Sequence, residues 1–196
     1  MNDILKTQLA FDYCCTPEDV SDDKNIFTVY SPHTDRRKFN ESEECFLKIT
    51  AINGKLLFTG REDIIDFCRK KYENADGAWF MEPQNVIGLD GIIRKFGFKI
   101  GELHPFYISE KITQPACEFE TVYYGQREIE QFRGDDRFKE AFAFSPEAPD
   151  VIGIAAVKNG IIMGMAGASA DSPLMYQIGI NVLPEYSGKG IGTALV

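Results

Sequence analysis

From residue 151 to the end, the chain carries only four charged side chains, Lys158, Asp171, Glu185 and Lys189. Two nearly charge-free runs, 151–157 and 161–170, flank Asn159-Gly160, a pair suited to the positive φ of a two-residue hairpin turn. Strands this apolar are expected to be covered on both faces. A third run, 175–182, passes through Pro184-Glu185-Tyr186-Ser187 into Gly188-Lys189-Gly190-Ile191-Gly192-Thr193, and Ala194-Leu195-Val196 begins a helix. The segment therefore reads as an antiparallel sheet whose last strand enters a glycine-rich turn and a helix.

Strand, glycine turn and helix start are the parts of an anion site. Glycines let the backbone approach a ligand, and the free N–H groups of a first helical turn face it. A dinucleotide fingerprint would place a third glycine at position 193, where Thr193 stands, and would follow the first strand of a parallel βαβ unit. A P-loop would need glycine at position 183, held here by Leu183, and Ser or Thr at 190, held by Gly190. Both are excluded, which leaves an anion site of another kind or a plain tight connection.

The upstream sequence is α+β in character. Residues 1–44 mix charge with turn formers and read as an irregular arm with short elements. Residues 46–50 and 55–58 flank Asn53-Gly54 and read as a hairpin. Residues 61–73 place Ile64, Ile65, Phe67, Cys68 and Tyr72 at helical spacing, with acidic residues in the first turn and basic ones in the last. A helix over 86–96 and a strand over 98–103 follow, and 111–117, with Pro115, reads as a connector. Beyond it come a strand over 119–123 and helical patterning over 126–144, broken at Gly134-Asp135-Asp136. The expected organisation is an N-terminal domain over 1–118 and a second domain over 119–196.

Charge and composition narrow the function. The net charge is −9, and since residues 151–196 sum to zero, the acidic excess lies wholly in residues 1–150. This disfavours nucleic acid, which needs a positive excess, and favours approach of a cation such as an amine. The longest uncharged stretch of the last quarter is the 13 residues 172–184, short of the ~18 a membrane helix needs. Met1-Asn2-Asp3-Ile4-Leu5-Lys6 has no basic patch ahead of an apolar run, so no secretory signal and no membrane span are expected, and the cytoplasm is the default location. Five cysteines without a C-x-x-C pair suit neither a disulfide framework nor a zinc site, and are expected to be reduced, mostly buried thiols. Two histidines, His33 and His104, leave little for a metal site or a Ser/His/Asp triad.

The order strand, Asn-Gly hairpin, strand and then Ile180-Asn181-Val182-Leu183-Pro184-Glu185-Tyr186-Ser187-Gly188-Lys189-Gly190-Ile191-Gly192-Thr193-Ala194-Leu195 resembles the GNAT superfamily of acyl-CoA-dependent N-acetyltransferases. The family pattern Arg/Gln-x-x-Gly-x-Gly/Ala falls on Ser187, Gly190 and Gly192, with Ser187 departing from its first residue. The resemblance implies a mixed, largely antiparallel sheet flanked by helices. It implies acetyl-CoA as cosubstrate and no metal. It also implies cofactor contacts at Ile180, Val182, Gly188, Lys189, Gly190, Gly192 and Thr193. In the family a backbone N–H on this strand polarises the thioester carbonyl, and by position that is the N–H of Ile180. Tyr176 and Gln177 stand where some members carry a carboxylate, and Tyr176 reads as a packing residue, so neither the general base nor the acid is assigned.

The family continues past the glycine loop with a strand, helix and strand on the other side of the cofactor cleft, so a chain ending at Val196 is expected to be truncated. Upstream, Asn85, Leu89, Ile93 and Arg94-Lys95-Phe96-Gly97-Phe98-Lys99 resemble the family's later Asn…Gly-Phe motif, which would make residues 45–110 a degenerate half of the same fold. The functional expectation is transfer of an acetyl group from acetyl-CoA to a small-molecule or peptide amine. The other classes are a non-catalytic acyl-CoA-binding or regulatory module, and a homodimer that covers an open sheet edge with a second copy.

Overall fold

The computed structural model describes residues 1–37, 45–108 and 118–196. The acidic run 41–44, the connector 111–117 and Cys117 lie outside them. The chain divides into two compact units, Met1–Tyr107 and Ile108–Val196, and is mixed α and β throughout.

The first unit opens with a helix, α1 (Asp3–Tyr13), where an irregular arm was expected. Asn2 caps it by accepting from the Leu5 N–H at 2.8 Å. A shorter helix, α2 (Pro17–Ser21), carries a complete capping box between Thr16 and Asp19. Strands β1 (Ile26–Val29), β2 (Leu47–Ile52) and β3 (Lys55–Gly60) form a sheet in the order β1-β3-β2. β2 and β3 are the expected antiparallel hairpin, turning through Asn53 and Gly54 at φ of 50° and 80°, while β1 runs parallel to β3.

All of β3 is buried, because the charge-free Leu56-Leu57-Phe58 core of this central strand meets a layer on each face. Phe58 packs within 6 Å of the rings of Phe27, Tyr72 and Phe80. Lys55 is buried as well, and it holds its ammonium by donating to the Asp19 carbonyl at 2.6 Å and to that of Asp22. Helix α3 (Glu62–Tyr72) turns Ile64, Ile65 and Cys68 onto this core. Helix α4 (Pro83–Ile93) adds Leu89 and Ile93, and a 3-10 turn, Arg94–Phe96, extends it.

The strand expected over 98–103 does not form. Gly97, at φ of 84°, ends the helix, and the Phe98 N–H donates back to the Ile93 carbonyl. The Ile100 N–H is taken by the Asp90 carboxylate at 2.9 Å. These two donors, on alternate residues, are thus lost to any ladder along that edge, and Phe98 stacks on Phe46 at 4.0 Å instead.

The second unit is built on a four-stranded antiparallel sheet in the order β4 (Glu120–Gly125), β5 (Asp150–Lys158), β6 (Ile161–Ala170), β7 (Tyr176–Val182). β5 and β6 turn through Asn159 and Gly160 at φ of 53° and 76°. Residues 126–144 do not make the long interrupted helix that their spacing suggests. They form one short helix, α5 (Gln126–Ile129), and the 3-10 turns Glu130–Phe132 and Asp136–Phe138, separated at Gly134 with φ of 81°. Ile129, Phe132, Phe138 and Phe142 from this stretch cover one sheet face over Ala155 and Met165. The last helix, α6 (Ile191–Leu195), begins at Ile191 rather than at 194 and lays Ile191 and Leu195 on the opposite face. That face is covered only in part, since Ile152 and Ile178 are 40% and 53% exposed, so the apolar strands are not enclosed on both sides as expected.

The cysteines are also less buried than expected: of the four described, only Cys68 is buried. Desolvation lifts the Cys68 thiol from 9.0 to about 12. Above pH 9 the unfolded chain therefore sheds a proton that the folded chain retains, and stability falls as pH rises toward 12. Replacing Cys68 by Ala is expected to flatten that decline, read from urea denaturation of both proteins between about pH 8 and 11.

Candidate functional site

β7 lies at one end of its sheet, paired to β6 on one side only. In an antiparallel pair, successive residues alternate between bonding the partner and directing their N–H and C=O away from it. The Leu183 N–H donates to the Met163 carbonyl at 2.9 Å, and Val182 stands opposite Gly164, Asn181 opposite Met165 and Ile180 opposite Ala166. Asn181 and Gly179 are therefore in phase with Leu183 and serve the ladder. Ile178, Ile180 and Val182 send their backbone groups to the open edge. The two positions proposed on this strand, Ile180 and Val182, thus share one direction.

The side chains of Ile180 and Val182 are held from above by α6. They belong to the cluster of Ile191, Leu195, Ala156 and Ala166, and a methyl built on Gly192 would stand 3.5 Å from Ile180 Cδ1 and 3.6 Å from Val182 Cγ2. This contact ties the strand's open edge to the start of the helix.

Between them runs the loop. A 3-10 turn, Pro184–Tyr186, closes with the Ser187 N–H on the Pro184 carbonyl at 3.2 Å. Gly188 and Gly190 then both adopt φ of 74°, with open space where a Cβ would be, and such conformations strain any residue with a side chain. Gly190 is the N-cap of α6 and supplies no side-chain cap, so the N–H groups of the first turn, from Ile191 to Thr193, have no partner from a capping side chain. Ser187, Gly188, Lys189, Gly190 and Thr193 are exposed. Lys189 turns back, donating to the Glu185 carbonyl at 3.0 Å with its ammonium 5.1 Å from the centre of the Tyr186 ring. Its side chain is engaged within the loop, while its backbone stays with Gly188 and Gly190.

Tyr176, expected to pack, is 63% exposed at the start of β7, because its cross-strand partner Ala170 offers little to cover it. The residue the sequence reading passed over is Asn181. Its side-chain oxygen accepts from the Glu140 and Ala141 N–H groups, both at 2.9 Å, and joins β7 to the stretch after the Asp136–Phe138 turn. An asparagine within an apolar strand was the available signal. Among the described residues no group of three or more His, Cys, Asp or Glu is placed to hold a metal ion, and no helix is long and apolar enough to cross a membrane.

The loop geometry separates two glycines. Gly190→Ala forces a side chain to positive φ and is expected to cost about 1–2 kcal/mol. Gly192→Ala meets only ordinary contacts inside a helix and is expected to be neutral or to stabilise by about 0.5–1 kcal/mol. Thermal and chemical denaturation of the two variants check this.

No curated protein and no solved structure matches the chain. The family model described as acetyltransferase (GNAT) family matches residues 116–196, which include β4 to α6 and the whole of the strand and loop just described. Residues 116–196, less than half of the chain, are therefore similar to the GNAT acetyltransferase family, and the similarity takes in the strand edge and the glycine loop.

Proposed function

We propose that the protein is an N-acetyltransferase that moves the acetyl group of acetyl-CoA to a primary amine by direct attack in a ternary complex. One observation carries the reading: the outward-facing backbone groups of Ile180 and Val182 on the open edge of β7 run directly into the positive-φ glycine loop and the start of α6. The loop N–H groups from Gly188 to Thr193 would hold the pyrophosphate, which needs donors rather than a particular side chain. Ser187, in place of Arg or Gln, therefore removes one contact and leaves the backbone donors. The strand edge would pair with the pantetheine arm. Acetyl-CoA brings an activated acyl carbon, and the Ile180 N–H would donate to its carbonyl oxygen as negative charge develops there. The amine nitrogen bonds to that carbon, the C–S bond breaks with its electron pair going to sulfur, and the proton lost by the amine balances the thiolate. The amine attacks as the neutral base.

The reading predicts that acetyl-CoA binds, as an adduct in native mass spectrometry and as heat in calorimetry, and that a panel of amines reveals turnover. Binding with no turnover would favour the non-catalytic module, and no binding would overturn the assignment. The strand geometry gives a sharper prediction. Since the Ile180 N–H takes no part in the ladder, Ile180→Pro deletes that donor while leaving the β6 pairing intact. It is expected to lower kcat by about 10²-fold, as loss of an oxyanion donor does. Ile180→Ala, which keeps the N–H, is expected to retain most of kcat; equal losses in both variants would deny the N–H its role.

A further inference from the structure

The back of β7 is fastened in a way that bears on its open edge. A Cβ at Gly179 would stand 1.9 Å from the Glu140 carbonyl oxygen, and one at Gly167, directly opposite on β6, would stand 2.0 Å from that of Ala141. The backbone after the Asp136–Phe138 turn thus lies against the sheet at a distance that only glycine permits at either position. At the next residue on the same face of β7, the Asn181 oxygen accepts from the N–H groups of those same two residues. The Glu140 carbonyl and the N–H groups of 140 and 141 thus meet β7 at neighbouring points, while the Ala141 carbonyl lies against Gly167 of β6. Asn181 also sits in the ladder opposite Met165, and its immediate neighbours are Ile180 and Val182.

We infer that Asn181 is a positioning residue for the acyl-transfer site, fixing the direction of the Ile180 and Val182 N–H groups by clamping the strand between them to residues 140–141. The inference deepens the proposed function and rests on it. An edge strand has half the ladder bonds of a central one, and β7 relies on this clamp to resist twisting about its β6 partner. Because the clamp acts on peptide orientation, losing it should damage recognition of the thioester carbonyl more than retention of the nucleotide end, which the loop holds.

The test compares CoA with acetyl-CoA on the 15N-labelled protein. In the unmodified chain, replacing CoA by acetyl-CoA is expected to shift the Ile180 amide resonance. In Asn181→Leu, which keeps the side chain's branching and heavy-atom count but has no acceptor, that added shift is expected to be lost, and kcat, once an acceptor amine is found, to fall about tenfold, with the Kd for CoA within about threefold of the original. Asn181→Asp keeps an acceptor oxygen at the same reach and is expected to restore both the shift and kcat. Should Asn181→Leu fail to fold, Asn181→Gln, which displaces the acceptor by one methylene, must show the same loss. An acetyl-dependent shift and kcat that survive in the Leu or Gln variant would overturn the inference. So would parallel loss of CoA affinity and thermal stability with no rescue by Asp, which would make the residue structural only. If the unmodified chain binds neither CoA nor acetyl-CoA, the proposed function itself fails.

Discussion

The second unit depends on how closely a carbonyl can approach a β-strand. Where Glu140 and Ala141 press their oxygens onto β7 and β6, no Cβ can exist, and Gly179 and Gly167 stand at those two points. That approach lets a short stretch with little helix of its own lie flat on the sheet, bringing Phe138 and Phe142 down onto Ala155 and Met165. It also places two N–H groups within reach of Asn181. One face of β7 is thereby fixed by backbone and the other by Ile191 and Leu195, leaving its outer edge as the direction in which Ile180 and Val182 present their peptide groups.

Electrostatics at this site comes from peptide dipoles rather than charged side chains. The strand and loop from 176 to 193 contain Glu185 and Lys189 alone, and Lys189 is turned back on the Glu185 carbonyl and the Tyr186 ring. Fixed N–H groups lose nothing by having to reorganise as charge develops nearby, which is the reason such donors suit an acyl oxyanion. The similarity of residues 116–196 to the GNAT acetyltransferase family is consistent with this economy of charge.

The first unit solves a different problem. Its central strand is apolar on both faces, and it recruits helices to each, with Phe27, Tyr72 and Phe80 gathered around Phe58. The stretch at 98–103 shows why a strand-like pattern is not enough: Ile100 carries the right residue type, but Asp90 has already taken its N–H. Conversely, α1 and α2 were legible in principle. Asn2 at a cap position and the Thr16…Asp19 box are local signals, obscured by the density of charge and turn formers around them.

Local chemistry was therefore readable directly. Asn-Gly pairs suit positive φ and mark both hairpins, nearly charge-free apolar runs mark the strands that flank Asn159-Gly160, and the glycines at 188 and 190 allow the turn into α6. The direction of the Ile180 and Val182 peptides was not readable, because the phase of a ladder is set by which residue of β6 meets which residue of β7. Nor were the tasks of Gly167, Gly179 and Asn181, whose partners lie 26 to 41 residues away along the chain. Sequence specifies what each residue can do with its neighbours in the chain; only tertiary packing decides which backbone groups are left facing outward.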